Sequence, residues 1–326
     1  KKIELSPSLL GESDALKTIQ FLPGVKAGNE GTSSINVRGG SQDQNLFLLD
    51  GVPVYNTNHL FGYFSTFNTD AIKDIRFYKG GIPARFGGRL SSVVDVTMKE
   101  GNMKKTGGQF DITPVSGKFM LEGPLKKDTS SWMVSARRSW LDLPLRAMQI
   151  ISNETETWGY SFYDVNAKIN WIINSKNRLF LSHYQGSDGY FVNSKDTLST
   201  DKYSFNWGNF TSVARWNLVI SPKLFVNTSL YFSKYQFREI YEIIKTNKSG
   251  QRTQSGLEEF CVKSDFDLSL THHTVKFGYQ ISRLAFHPEI TNYTGLESDT
   301  VFGRYTMSKA NQLSLYGEDE FSPIDP

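Results

Sequence analysis

The chain has 326 residues, 36 Lys and Arg against 33 Asp and Glu, a net charge of +3 and 13% aromatic residues. That length allows two domains or one large β structure, and the near balance of charge without a long basic run gives no footprint for nucleic acid. The single cysteine, Cys261, excludes an internal disulfide and speaks against a thiolate metal cluster.

Mean hydropathy is -0.39, and no run reaches the roughly 18 apolar residues of a transmembrane helix. High aromatic content at such low hydropathy fits strands that alternate lipid-facing and lumen-facing side chains. Any membrane residence would therefore be through strands.

The start Lys1-Lys2-Ile3-Glu4 lacks the apolar core of a signal peptide and reads as a mature or trimmed beginning. Ser13 or Asp14 can cap a short helix carrying Ala15, Leu16 and Ile19 on one side, which Pro23-Gly24 ends. Strands are expected at Ser34 to Arg38, Asn45 to Asp50, Ile72 to Tyr78 and Leu90 to Met98, bounded by glycine or polar turns. Between the last two, Gly80 to Arg89 crowds glycines with Arg85 and Arg89. Together these elements describe a small α/β unit over residues 1–101.

From about Thr106 the pattern becomes long period-two strands. Tyr163, Val165, Ala167, Ile169, Trp171 and Ile173 form one apolar face, while Asp164, Asn166, Lys168 and Asn170 form the other. Phe260 to Leu270 repeats it, with Cys261 and Lys263 on the polar side. Short turns are expected near Lys126-Lys127-Asp128, Ser175-Lys176-Asn177, Ser221-Pro222-Lys223 and Thr271-His272, and another at Ser322 to Pro326. Long polar connections are expected near 141–160, 188–204, 239–256 and 288–308. Alternating short and long connections, with strands of about 10 to 16 residues, suit an outer-membrane barrel. About ten such strands fit into 102–326, too few to enclose a separate domain, so the barrel is expected to be incomplete.

INVRGGSQDQNLFLLDGVPVYN, Ile35 to Asn56, and IKDIRFYKGGIPARFGGRLSSVVDVTMKEG, Ile72 to Gly101, match plug motifs in order and spacing. The chain thus resembles a TonB-dependent outer-membrane receptor entered at its plug. The wording RFGGRLSSVVDV is most similar to receptors of the Bacteroidota, and LEGPL at Leu121 to Leu125 to their first barrel hairpin. The resemblance implies an α/β plug inside the lumen of a barrel of about 22 antiparallel strands, in the outer membrane of a Gram-negative bacterium. TonB would bind a segment upstream of Lys1. Outer-membrane lipid surrounds such a barrel, and a surface lipoprotein or other outer-membrane subunits are further partners it allows.

In the family the glycine-arginine segment runs inside the barrel wall, and Arg85 and Arg89 would latch plug to barrel through carboxylates such as Asp111 and Glu122, with Arg38 a third latch residue. The resemblance also places three plug apices at Gly28 to Ser33, Gly40 to Gln44 and Tyr55 to Tyr63. Ligand contacts are expected from Asn29 and Glu30, from Ser41, Gln42 and Asp43, and from Tyr55, Asn56, Asn58, His59, Phe61 and Tyr63. Set against this, Leu60 and Phe61 can simply pack beneath the third loop while its amides make turns. Arg38, Asp50 and Gly51 read as turn formers and charges that satisfy the plug interior, and His272-His273 as solvated histidines rather than a metal site. No nucleophile elbow, HExxH or phosphate-binding loop is present, so no catalytic residue, metal or cofactor is expected.

The reading is import of a nutrient ligand of the siderophore, cobalamin, glycan or peptide class. The alternatives are a plugged barrel acting as a structural or docking subunit, and a soluble β-rich binding or hydrolytic protein.

Overall fold

The computed structural model describes residues 8–9, 11–152, 154–245, 248–294, 300–302 and 307–323. Asp14 caps the helix Ala15–Gln20, its Oδ1 accepting from the amides of Leu16 at 2.8 Å and Lys17 at 3.1 Å. Its second oxygen accepts from Ser33 Oγ at 2.6 Å and the Ser65 amide at 2.7 Å. One buried carboxylate thereby ties the helix start to the first predicted apical loop and to the strand Phe64–Ser65 that follows the third.

Four strands form the plug sheet, in the order Val52–Pro53, Asn45–Leu49, Ser92–Met98, Ile72–Tyr78. Ser92–Met98 runs parallel to Asn45–Leu49 and antiparallel to Ile72–Tyr78. Leu16, Ile19, Ile35, Val37, Val94 and Val96 fill the space between helix and sheet. The same cluster includes Met120, Met133 and Tyr184 from the barrel wall, so plug and wall share one core.

The second sheet has 11 strands, one of them only Thr300–Phe302. The others are Gly107–Ile112, Ser116–Lys126, Ser130–Ser139, Glu156–Asn174, Asn177–Lys195, Thr200–Ser221, Leu224–Ile244, Lys248–Ser269, His273–Thr294 and Ser308–Phe321, each antiparallel to the next. Alternation sorts the faces as expected: Asp164, Asn166, Lys168 and Asn170 are buried toward the plug, whereas Tyr163, Ile169, Trp171 and Ile173 are exposed. Among the described residues no helix is long and apolar enough to cross a membrane.

Two expectations need correction. The strands from Glu156 to Thr294 run to between 19 and 22 residues, longer than expected. Two of the long loops are these same strands continuing: pairing persists to Lys195↔Thr200 and to Ile244↔Lys248. Polar residues interrupt the lipid-facing pattern there, but a ribbon with water on both sides needs no apolar face, and its ladder hydrogen bonds still form.

The 141–160 connection holds a helix, Asp142–Ile151, that was not expected. Beyond Ser139 one edge of Glu156–Asn174 has lost its strand partner, and the helix covers it, Gln149 Nε2 donating to the Trp158 carbonyl at 3.0 Å. Residues 295–299, 303–306 and 324–326, on which part of the fourth loop and the final turn were expected, lie outside the described residues.

Gly101 joins the two sheets. Its φ is +81°, and a Cβ there would stand 2.3 Å from the Trp132 carbonyl oxygen. Gly101→Ala is therefore expected to cost about 2 kcal/mol or more, part left-handed backbone and part clash with a strand that cannot shift. The thermal midpoint of the full-length protein in detergent checks this, with Gly87→Ala, which has open space around it, as the control.

Candidate functional site

The plug meets the wall through charged groups whose signs are the reverse of the expected latch. On the wall, Arg137 is buried, with Nε 2.8 Å and Nη2 2.5 Å from Asp164 Oδ2. Its Nη1 reaches Glu12 of the plug at 3.1 Å, and Nη2 donates to the Ser65 carbonyl at 2.7 Å. Lys118 lies 3.4 Å from Asp70 and 3.9 Å from Glu12. A third wall cation, Lys168, donates to Asp50 Oδ1 at 2.8 Å and to the Met98 carbonyl at 3.1 Å. Lys263 donates to the Gly51 carbonyl at 3.0 Å. Two lysines thus grip the Asp50-Gly51 turn, whose residues are both left-handed, at φ +49° and +80°.

His59 is buried, with Nδ1 2.6 Å from Asp188 Oδ2 and Nε2 2.8 Å from Asp164 Oδ1. Its ring stacks on Phe162 at 4.3 Å. Gly186 makes room for this arrangement, because a Cβ there would lie 2.3 Å from the Tyr184 hydroxyl and 2.7 Å from Asp164 Oδ1. Next along the chain, Leu60 and Phe61 both have positive φ, +48° and +54°. Two adjacent non-glycine residues in that region store strain, which persists only where surroundings hold it. Tyr160 and Asp188 hold it by accepting hydrogen bonds from the Leu60 amide.

Above this anchor two cavities lie between the apical loops and the wall. A cavity of about 530 Å³ is lined by Gln42, Asp43, Tyr55, Asn56, Asn58 and Arg89 from the plug, and by Glu259, Gln280 and Gln312 from the wall. Tyr55 Oη donates to Glu259 at 2.6 Å, and burial together with that carboxylate pushes the phenol well up, so it stays a donor. The second cavity, about 280 Å³, also takes in Gln42, Asn56 and Asn58, adding Asn29 and Phe61 opposite Phe205, Trp207, Tyr235 and Phe237. Phe61 is 60% exposed, and its ring centroid lies 5.5 Å from that of Trp207. Such a site offers amides, charge and flat aromatic faces together.

Of the residues named from sequence, the structure brings Asn29, Gln42, Asp43, Tyr55, Asn56, Asn58 and Phe61 to these cavities. Ser41 bonds to Asp43, Glu30 is exposed and in neither lining, and the Tyr63 ring lies against Gly31. His59 is beneath the cavities. Arg38 lies over Gly80, Arg85 stacks on Phe86 at 4.8 Å, and Arg89 faces the larger cavity. Among the described residues neither Arg85 nor Arg89 forms an ion pair with Asp111 or Glu122. Sequence reasoning placed Asp164 and Lys168 on the inner face but assigned them no partners, and it did not single out Arg137, Asp188, Glu12 or Trp207. The signal available was the rarity of charge on a buried strand face.

An α/β domain seated against the polar face of a two-faced antiparallel sheet is the architecture of a plugged outer-membrane barrel. Residues 9–94 match the family model of the TonB-dependent Receptor Plug Domain, and from Gly107 the described chain is an antiparallel sheet against which that domain is seated. Its fold is similar to the ferric yersiniabactin uptake receptor FyuA of Yersinia pestis, at TM-score 0.50 and 12% identity over 92% of this chain and 58% of that one. It is also similar to the ferric citrate transporter FecA, at TM-score 0.56 and 10% identity over 97% and 59%. FpvA of P. aeruginosa, bound to heterologous pyoverdines, aligns at TM-score 0.60 and 12% identity over 97% and 48%. The chain therefore spans roughly half to three fifths of the length of these solved receptors. A comparison with curated protein sequences finds no match.

Proposed function

We propose that this chain is the front part of an active importer of the Gram-negative outer membrane, with residues 1–101 as plug in the lumen and 102–326 as the first strands of a barrel of about 22. A polar ligand with flat faces enters the two cavities, and TonB pulls on a segment upstream of Lys1, loosening the plug by local unfolding at less cost than unfolding the whole domain. The observation that carries this reading is the convergence of Asn56 and Asn58, which line both cavities, with Glu259 in the larger one and with Phe61 and Trp207 in the smaller. Ferric chelates are the first ligands to try, since the three similar receptors are described with ferric yersiniabactin, ferric citrate and iron-loaded pyoverdines. The solved neighbours are uptake receptors or transporters, which agrees with a binding rather than a catalytic site.

Tryptophan fluorescence of the full-length protein, with Trp207→Phe isolating the site's contribution, reports occupancy. Ferric chelates, cobalamin, oligosaccharides and peptides are titrated in turn. One of them is expected to give a saturable change, and Phe61→Ala to weaken it roughly tenfold through lost aromatic contact. If no ligand gives a change that depends on Phe61, the import reading gives way to a plugged barrel that docks other outer-membrane subunits.

A further inference from the structure

His59 belongs to the plug, yet both of its ring nitrogens are within 2.8 Å of carboxylate oxygens on two different barrel strands. Asp164 accepts the two-pronged contact from Arg137 and a hydrogen bond from the Tyr184 hydroxyl at 2.9 Å. Asp188 accepts from the Tyr160 hydroxyl and the Leu60 amide through its other oxygen. Carboxylates so placed only accept, so the ring must donate from both sides. A neutral ring would turn one lone pair toward an anion at hydrogen-bond distance.

We propose that His59 is a charged pin: its imidazolium, clasped between Asp164 and Asp188, fastens the apical loop 55–63 to the strands Glu156–Asn174 and Asn177–Lys195, and loss of its proton frees that loop.

The groups around the pin favour the charged form. From the plug come Glu12 and Asp70. From the wall come Lys118, Arg137, Asp164 and Asp188, with the phenols of Tyr160 and Tyr184. With His59 protonated, Glu12, Asp70, Asp164 and Asp188 face Arg137, Lys118 and His59. Without its proton the same carboxylates, of which Glu12, Asp164 and Asp188 are buried, face only Arg137 and Lys118, and the uncompensated charge is costly in a dry site. Burial lowers the ring's proton affinity, but Asp164 and then Asp188 outweigh it, raising the pKa from 6.5 to about 9. Since the folded value lies above the unfolded one, the pin's contribution is complete below about pH 6.5 and is lost as pH rises through about 9. Leu60 and Phe61, strained and adjacent, are the residues such a pin would hold.

A nitroxide on Tyr63→Cys in the full-length protein in detergent reports mobility of the apical loop, and one on Glu30→Cys reports the neighbouring loop. The Tyr63 label is expected to stay immobile from pH 6 to 8 and to become mobile with a midpoint near 9, while the Glu30 label does not change. Asp188→Asn is expected to lower the midpoint by about 1 to 2 pH units, as loss of one facing charge should. His59→Gln should leave the loop mobile at every pH. A Tyr63 label immobile up to pH 10, or one that loosens only together with the Glu30 label, overturns the proposal. That profile needs no substitution in the clasp, so it decides even if His59→Gln does not fold.

Discussion

Arg137→Ala is expected to destabilise the seated plug by about 3–5 kcal/mol, the cost of leaving buried carboxylates without their cation. The guanidinium satisfies Asp164, Glu12 and the Ser65 carbonyl at once, and alanine supplies none of those donors. Arg137→Lys should recover only part of the loss, because an ammonium cannot reproduce the fork that meets Asp164 with two nitrogens. The comparison is Arg76→Ala: Arg76 pairs with Asp74 at 3.4 Å with both side chains more than half exposed, and such pairs contribute at most about 1 kcal/mol. Calorimetry of the full-length protein in detergent measures both. If the two variants unfold within about 0.5 kcal/mol of each other, the buried network carries no special weight.

Lys168→Met should have an effect of similar size for a simpler reason. The methionine fills much of the same volume but leaves Asp50 Oδ1 with only the Met98 amide, at 3.2 Å, as donor. A further 3–5 kcal/mol or so is expected to be lost. Adding Asp50→Asn tests whether charge is the cause: asparagine tolerates the left-handed backbone that Asp50 adopts and removes the stranded anion. The double variant should therefore be more stable than Lys168→Met alone. Additive losses would mean that Lys168 acts by packing and not by pairing with Asp50.

These two lysine and arginine contacts show where reading the residues in order reaches its limit. The inward direction of Lys168 and Asp164 was legible, because side chains alternate along a strand and a polar row opposite a lipid-facing apolar row has only one place to go. Their partners were not. Asp50 is 118 residues from Lys168, and Asp164 is 105 residues from His59. The latch was assigned to Arg85 and Arg89 because the resemblance runs that segment inside the barrel wall, whereas the described ion pairs between plug and wall place the cations mostly on the barrel. Composition gives the number of charges, and only the docking of plug on wall decides which of them meet.

The cavities divide in the same way. Asn56, Asn58 and Phe61 were visible as an amide-aromatic loop, since turn residues beside aromatics are a local pattern. Trp207, Phe205 and Phe237 looked like ordinary strand residues, and nothing local distinguishes a ring that lines a cavity from one that fills a core.

By itself, then, the amino-acid order determined the capped helix, the plug strands, the two-faced barrel strands and their tight turns. All of these follow from interactions a few residues apart. Strand length beyond the apolar belt, the helix that covers an uncovered edge, the burial of His59 between two aspartates and the reversed polarity of the latch were decided by tertiary structure alone. The last two depend on groups about a hundred residues apart meeting where water is excluded, and there the cost of an unpaired charge selects the partner; the first two need only a neighbouring strand to pair with or an open edge to cover.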